Sequence, residues 1–122
     1  ILHVSCDTEK DAHYASLRAM EEELRNFRTR AGREYRLLPL PWPSPRHDGS
    51  GNRLPATYAN YLVINGAVLA PTYRDRNDAA ALSVVREAFP GREVIGIDCL
   101  PLIQQHGSLH CVTMQIPKGV LA

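Results

Sequence analysis

Cys111 is the residue of this chain with the clearest potential for covalent chemistry. A small Gly107-Ser108 pair leads into Leu109-His110-Cys111-Val112-Thr113, and the pattern predicts a last strand over Leu109 to Ile116. A cysteine near the start of such a strand can offer its sulfur to a pocket, where a stabilised thiolate acts as a nucleophile. His110 suggests a Cys–His pair, but neighbours on a strand point to opposite faces, so the base for Cys111 must come from elsewhere in the fold. His3, His13, His47 and His106 are the other imidazoles, and none sits in a context that marks it as that base. Two plainer readings fit the same residues. Cys111 can be a buried strand cysteine. A metal site from Cys99, His106, His110 and Cys111 is conceivable, although the spacing matches no standard zinc pattern.

The elements that would position this segment alternate between strand and helix. Leu2 to Cys6 reads as a short strand. A helix is expected from about Glu9 to Arg30, with Tyr14, Leu17, Leu24 and Phe27 on one apolar stripe and Met20 between. Glu21, Glu22 and Glu23 are expected to face water, and Thr8 with Asp11 resembles a capping box. Gly32 is a candidate helix stop, and Tyr35 to Leu40 a strand. The prolines and glycines from Pro41 to Pro55 mark a loop. Tyr58 to Ile64 and Ala67 to Ala70 read as a hairpin around Asn65-Gly66. A helix from about Asp78 to Phe89 follows, then a buried strand over Glu93 to Asp98 and a helical turn near Leu100 to Gln104. A faint repeat relates the strand-helix-strand at the start to the one beginning near Leu69. The chain is therefore expected to be α/β, built from repeated ββαβ modules, with the first copy lacking its leading strand.

With 122 residues the chain holds one domain, and a net charge of +1 gives no electrostatic reason for a nucleic-acid or membrane partner. No apolar run is long enough to span a bilayer, and no signal-peptide pattern is expected at the start. Three cysteines at wide spacing, Cys6, Cys99 and Cys111, point to reduced thiols in a cytoplasmic protein rather than a disulfide framework.

Gly107-Ser108-Leu109-His110-Cys111-Val112-Thr113, followed by Gln115-Ile116-Pro117, resembles the Gly-Gly-(Asn/Ser)-Ile-His-Cys-(Ile/Val)-Thr-x-Gln-x-Pro signature of the agmatine deiminase and bacterial peptidyl-arginine deiminase family. A second block, Tyr58-Ala59-Asn60-Tyr61-Leu62-Val63-Ile64-Asn65-Gly66 through Pro71, is similar to that family's Tyr-x-Asn-Phe stretch. Asp78, the Phe89-Pro90-Gly91 junction and Leu38-Pro39-Leu40-Pro41 agree in order. The resemblance implies a pentein fold, a propeller of five ββαβ modules, of which this chain would hold about two. Residues 1–40 would end one module, 57–98 would form a complete one, and 107–117 would be the final catalytic strand.

The resemblance also implies guanidine hydrolysis with Cys111 as nucleophile, a small guanidino substrate such as agmatine or an arginine, and no metal or organic cofactor. The family's His-x-Asp motif and its guanidinium-binding carboxylates are not found in this sequence, so the chain by itself is expected to be inactive. His106 stands where the family has the first glycine of its pair, and Met114 where Gln is common. Asn60 could help to shape the pocket, and is expected instead to be a structural strand-edge residue. The competing expectations are a stand-alone, non-catalytic module acting through self-association or a partner chain, another guanidino-group activity of the same superfamily, and a metal-binding domain using Cys99, His106 and Cys111.

Overall fold

In a computed structural model, which describes residues 1–120, two β-α-β units lie side by side. In the first, strand β1 (Leu2–Ser5) runs through helix α1 (Tyr14–Asn26) to strand β2 (Leu38–Pro41), paired parallel to β1 with Leu2 opposite Leu38. In the second, β3 (Leu62–Val63) and β4 (Ala67–Thr72) form an antiparallel hairpin. Helix α2 (Asp78–Ala88) then carries the chain to β5 (Glu93–Asp98), parallel to β4. The strand order β3-β4-β5 thus holds a hairpin and a crossover. Helix α2 packs on β4 and β5 and also on β2, which joins the two units. The core between them contains Leu40, Leu54, Val68, Tyr58, Tyr73, Val85 and Ile103.

Helix α1 differs from its expected form at both ends and along one face. It begins at Tyr14, because Thr8 and Asp11 form turns instead of a capping box. Phe27, expected on the apolar stripe, is exposed, and its extended backbone ends the helix well before Gly32. Glu21 is buried although it was expected in water. A period of 3.6 places position 21 beside Leu17, within about 60° of Leu24, at the border of the inward stripe. Its carboxylate is held by Arg25 at 2.6 Å and Arg18 at 2.9 Å, and Arg25 is the main reason it titrates below the usual glutamate value.

Other boundaries shift for identifiable reasons. The Asn65-Gly66 hairpin forms as expected, with the Ile64 N–H donating to the Ala67 carbonyl at 2.9 Å. Neither turn residue is left-handed, and Arg92 ties the turn down through the carbonyls of Ile64 and Asn65. Strand β3 is only two residues long, since Thr57 to Asn60 make a turn that buries Tyr58. Strand β4 continues past Ala70 through Pro71. It has no β3 partner beyond Leu69, so the missing proline N–H breaks no ladder on that side. The nearly continuous apolar run of strand β5 predicts a buried strand. It lies at the sheet edge, and Ile95 on its open face is exposed.

The chain between β1 and α1 is fixed by Asp11. Its carboxylate accepts two hydrogen bonds from Arg53, at 2.9 and 2.8 Å, one from the Trp42 indole at 3.1 Å and one from the His13 amide at 2.9 Å. The Arg53 guanidinium lies 5.5 Å over the Trp42 ring. Arg53 is the main reason the Asp11 carboxyl is held well below its ordinary value of 3.8. A depressed folded pKa contributes stability that is complete above the unfolded pKa and is lost as pH falls through the folded one. Asp11→Asn is expected to reduce unfolding free energy by about 2 kcal/mol at neutral pH, with the gap constant down to about pH 4 and narrowing below it. Urea titrations of both proteins across that range check this, and a gap that widens in acid would contradict it.

The Asp78 carboxylate, at the first turn of α2, is a second fixed point. It accepts the Tyr58 hydroxyl at 2.8 Å, the Tyr73 amide at 3.1 Å and the Asp75 amide at 3.0 Å. Burial first, and this carboxylate second, push the Tyr58 phenol well above the ordinary value of 10. Among the described residues, no helix is long and apolar enough to cross a membrane.

Candidate active site

The segment carrying Cys111 leaves a short helix, α3 (Leu100–Ile103). The His106 amide donates to the Ile103 carbonyl at 3.0 Å, and His106 itself is left-handed, with φ +62°. The departure from glycine at this position therefore carries backbone strain. The left-handed state costs an L-residue about 1–2 kcal/mol, while glycine gives back about 0.5–1 kcal/mol through its unfolded-state freedom. His106→Gly is expected to stabilise the chain by about 0.5–1 kcal/mol net, read as a higher thermal midpoint. The His106 contact to Asp48, at 3.7 Å on the surface, offsets little of that. A lower midpoint would mean the strain is relieved elsewhere.

Leu109 to Ile116 does not form the expected strand. His110–Val112 is a single 3-10 turn, closed by the Thr113 amide and hydroxyl on the His110 carbonyl at 3.1 and 2.8 Å. The alternating pattern is present, but among the described residues no strand lies alongside to pair with it. The Asn60 side chain and carbonyl take the His110 amide instead, at 2.7 and 3.3 Å. The next tether is the Gln115 side chain, which donates to the Val63 carbonyl at 2.9 Å.

This turn lifts Cys111 to the surface while Cys6 and Cys99 stay buried. Gly107 packs beneath it. A Cβ at Gly107 would lie 3.1 Å from the Cys111 Cβ, so the close approach depends on having no side chain there. The Asn60 amide nitrogen donates to the Cys111 sulfur at 3.3 Å. Its oxygen must face the His110 N–H, which can only donate, and this fixes the orientation of the amide. The Ser108 backbone amide first, and the Asn60 side chain second, draw the Cys111 thiol below its ordinary value of 9 against a small effect of burial. A lowered thiol pKa increases the thiolate fraction near neutral pH, which is the nucleophilic form. Cys99 shows the opposite: burial pushes its thiol up.

Asn60 is therefore more than a strand-edge residue: it lies outside β3 and touches the sulfur. Its place beside the cysteine motif could be sensed only from their joint occurrence, because their contact spans 51 positions. The imidazoles are dispersed. His3 is buried with its ring 3.1 Å from the Val4 carbonyl, and His13 lies 3.2 Å from Asp11. Among the described residues, no imidazole is hydrogen-bonded to Cys111, and no three His, Cys, Asp or Glu side chains converge as metal ligands. Two open clefts of about 500 Å³ lie elsewhere. One is at the ends of β1 and β2 beside Trp42 and Asn77, the other between His3, Glu21 and Tyr35, and Cys111 lines neither. The arrangement offers an exposed thiol drawn toward its thiolate form, with no acid–base side chain among its hydrogen-bond neighbours in the described residues.

The Porphyromonas-type peptidyl-arginine deiminase family model matches residues 1–117. A solved structure from Porphyromonas gingivalis, provisionally assigned as an arginine deiminase, is 58% identical and superposes with a TM-score of 0.91. It is matched over 97% of this chain and 34% of its own. The solved agmatine deiminase of C. jejuni is 40% identical with a TM-score of 0.78, over 90% of this chain and 31% of its own. The agmatine deiminase of Pseudomonas putida is 32% identical over 131 residues, which is 93% of this chain and 36% of that protein. The chain thus spans about a third of the length of these relatives.

Proposed function

Since the chain belongs to the Porphyromonas-type peptidyl-arginine deiminase family, we infer that Cys111 is the nucleophile of a guanidine-hydrolysing deiminase and that this chain supplies the nucleophile-bearing part of a longer enzyme. The observation that carries this reading is the exposed, acidified Cys111 on a turn built by Gly107, Ser108 and Asn60. The relatives named as agmatine deiminases support agmatine or an arginine side chain as the guanidino substrate. The Cys111 thiolate forms a C–S bond to the guanidinium carbon, and the leaving nitrogen takes a proton and departs as ammonia. Water then attacks the remaining thiouronium carbon, the C–S bond breaks, and a ureido product and free thiolate result. The general acid–base and the carboxylates for the guanidinium lie outside this chain on this reading. The likeness to full-length relatives supports placing the two β-α-β units as about two of five modules of a pentein propeller.

The test is ammonia release by the complete protein and by this chain alone, with agmatine, free arginine and an arginine peptide. The complete protein is expected to turn over one of them, and the isolated chain none, because the members of such a site act as a unit. Failure of the complete protein on all three would sink the deiminase reading. Cys111-dependent turnover by the chain alone would sink the divided site.

A second reading, a stand-alone module that works by association, is favoured by exposed apolar side chains. Ile95 on β5 and Val112, Met114 and Ile116 after the cysteine turn are open, Met114 at 86% exposure. Light scattering of the chain decides it: a monomer at high concentration removes its support.

A further inference from the structure

Ser108 is 1% exposed and Tyr73 fully buried, and their hydroxyls meet at 2.8 Å. The Tyr73 phenol lies 2.9 Å from the Thr57 carbonyl and 3.1 Å from the Thr57 amide. A carbonyl only accepts and an amide only donates, so the single phenol proton goes to the carbonyl. Ser108 must then be the donor to the phenol oxygen. Tyr73 is anchored at its other end, where its backbone amide donates to the Asp78 carboxylate.

Tyr73 therefore links the first turn of α2, through its backbone amide, to the side chain of the residue three before Cys111, through its hydroxyl. An Ala–Phe pair would fill the same space without burying two hydroxyls. A hydroxyl pair adds direction: it fixes the rotation of Ser108 about the chain. Ser108 is the step between Gly107, against which the Cys111 Cβ packs, and the 3-10 turn that carries Cys111. We propose that Tyr73 is a positioning residue for Cys111, acting through the Ser108 hydroxyl to hold the step between Gly107 and the 3-10 turn, and so to set where the sulfur stands. This rests on Cys111 as the nucleophile but is testable apart from turnover.

In the complete protein, the rate of Cys111 alkylation by iodoacetamide is followed against pH, with mass spectrometry assigning the modified peptide. Ser108→Ala and Tyr73→Phe are each expected to raise the pH midpoint by about half a unit, with about threefold slower alkylation below it. The double variant is expected to shift no further than Ser108→Ala. With the guanidino substrate that the enzyme accepts, kcat should fall about tenfold while KM changes less than about twofold. Leu40→Val, a core change outside the hydroxyl pair, should lower stability and leave the midpoint in place. Tyr73→Phe also strands the Thr57 amide and carbonyl, and if it does not fold, Ser108→Ala decides alone. A folded Ser108→Ala protein with an unshifted midpoint overturns the proposal. Absence of turnover in the unsubstituted protein would count against the deiminase reading only, and the thiol profile would still decide this one.

Discussion

Cys111→Ser in the complete protein is expected to lower guanidine hydrolysis by at least about 10³-fold while substrate affinity is largely kept. The Asn60 side-chain nitrogen donates to the sulfur at 3.3 Å, and the Ser108 amide and this nitrogen draw the thiol toward its charged form. Such donors are enough for a thiol, whose ordinary pKa lies within two or so units of neutrality. They are far from enough for an alcohol, which needs a base in the transition state. Among the described residues, no imidazole or carboxylate is hydrogen-bonded to position 111. Because Cys111 is exposed, the substitution disturbs little packing, and lost activity can be ascribed to chemistry. The check is ammonia release at saturating substrate, with circular dichroism to confirm the fold. Activity within about tenfold of the parent would remove Cys111 from the covalent role.

Asp78→Ala is expected to reduce unfolding free energy by about 3–5 kcal/mol, enough to unfold a marginal protein. The carboxylate serves three donors, and two of them, the Tyr58 hydroxyl and the Tyr73 amide, belong to residues that are essentially fully buried. No water can reach these donors easily once the carboxylate is gone, so each keeps its desolvation penalty. Asp78→Asn should lose about half as much, since one oxygen can still accept. Urea midpoints at constant m-value measure both. A loss under about 1 kcal/mol for Asp78→Ala would mean that the donors find other partners.

What could be read from the sequence was the local part of the structure. The crossover order, the Asn65-Gly66 hairpin, α2 and the extent of β5 follow from patterns within a dozen residues. The parts that were misread depend on distant partners. Thr8 and Asp11 looked like a cap, but Asp11 is claimed by Arg53, 42 positions away. Tyr58 looked like the start of a strand, but its hydroxyl goes to Asp78 and its ring to the core. Leu109 to Ile116 had the alternation of a strand and, among the described residues, no neighbour to pair with, so Asn60 captured its amide and a 3-10 turn formed. The candidate nucleophile was legible through its motif. Residue types alone favour a buried strand cysteine at position 111, and only the fold separates it from Cys6 and Cys99. The strain at His106 was foreseeable because a glycine is usual at that step, and the backbone there is indeed left-handed.

The composition of β2 has a consequence for aggregation. Its amides at Leu38 and Leu40 face β1, as the Leu38 bond to the Ile1 carbonyl at 2.9 Å shows, so positions 39 and 41 face outward. Both are prolines and have no hydrogen to donate. The outer rim of β2 thus offers acceptors without alternating donors, and a stray strand cannot zip onto it. Of the outer strands of the two sheets, β2 is sealed by its own sequence against templated growth, whereas β5 has no proline to block its rim.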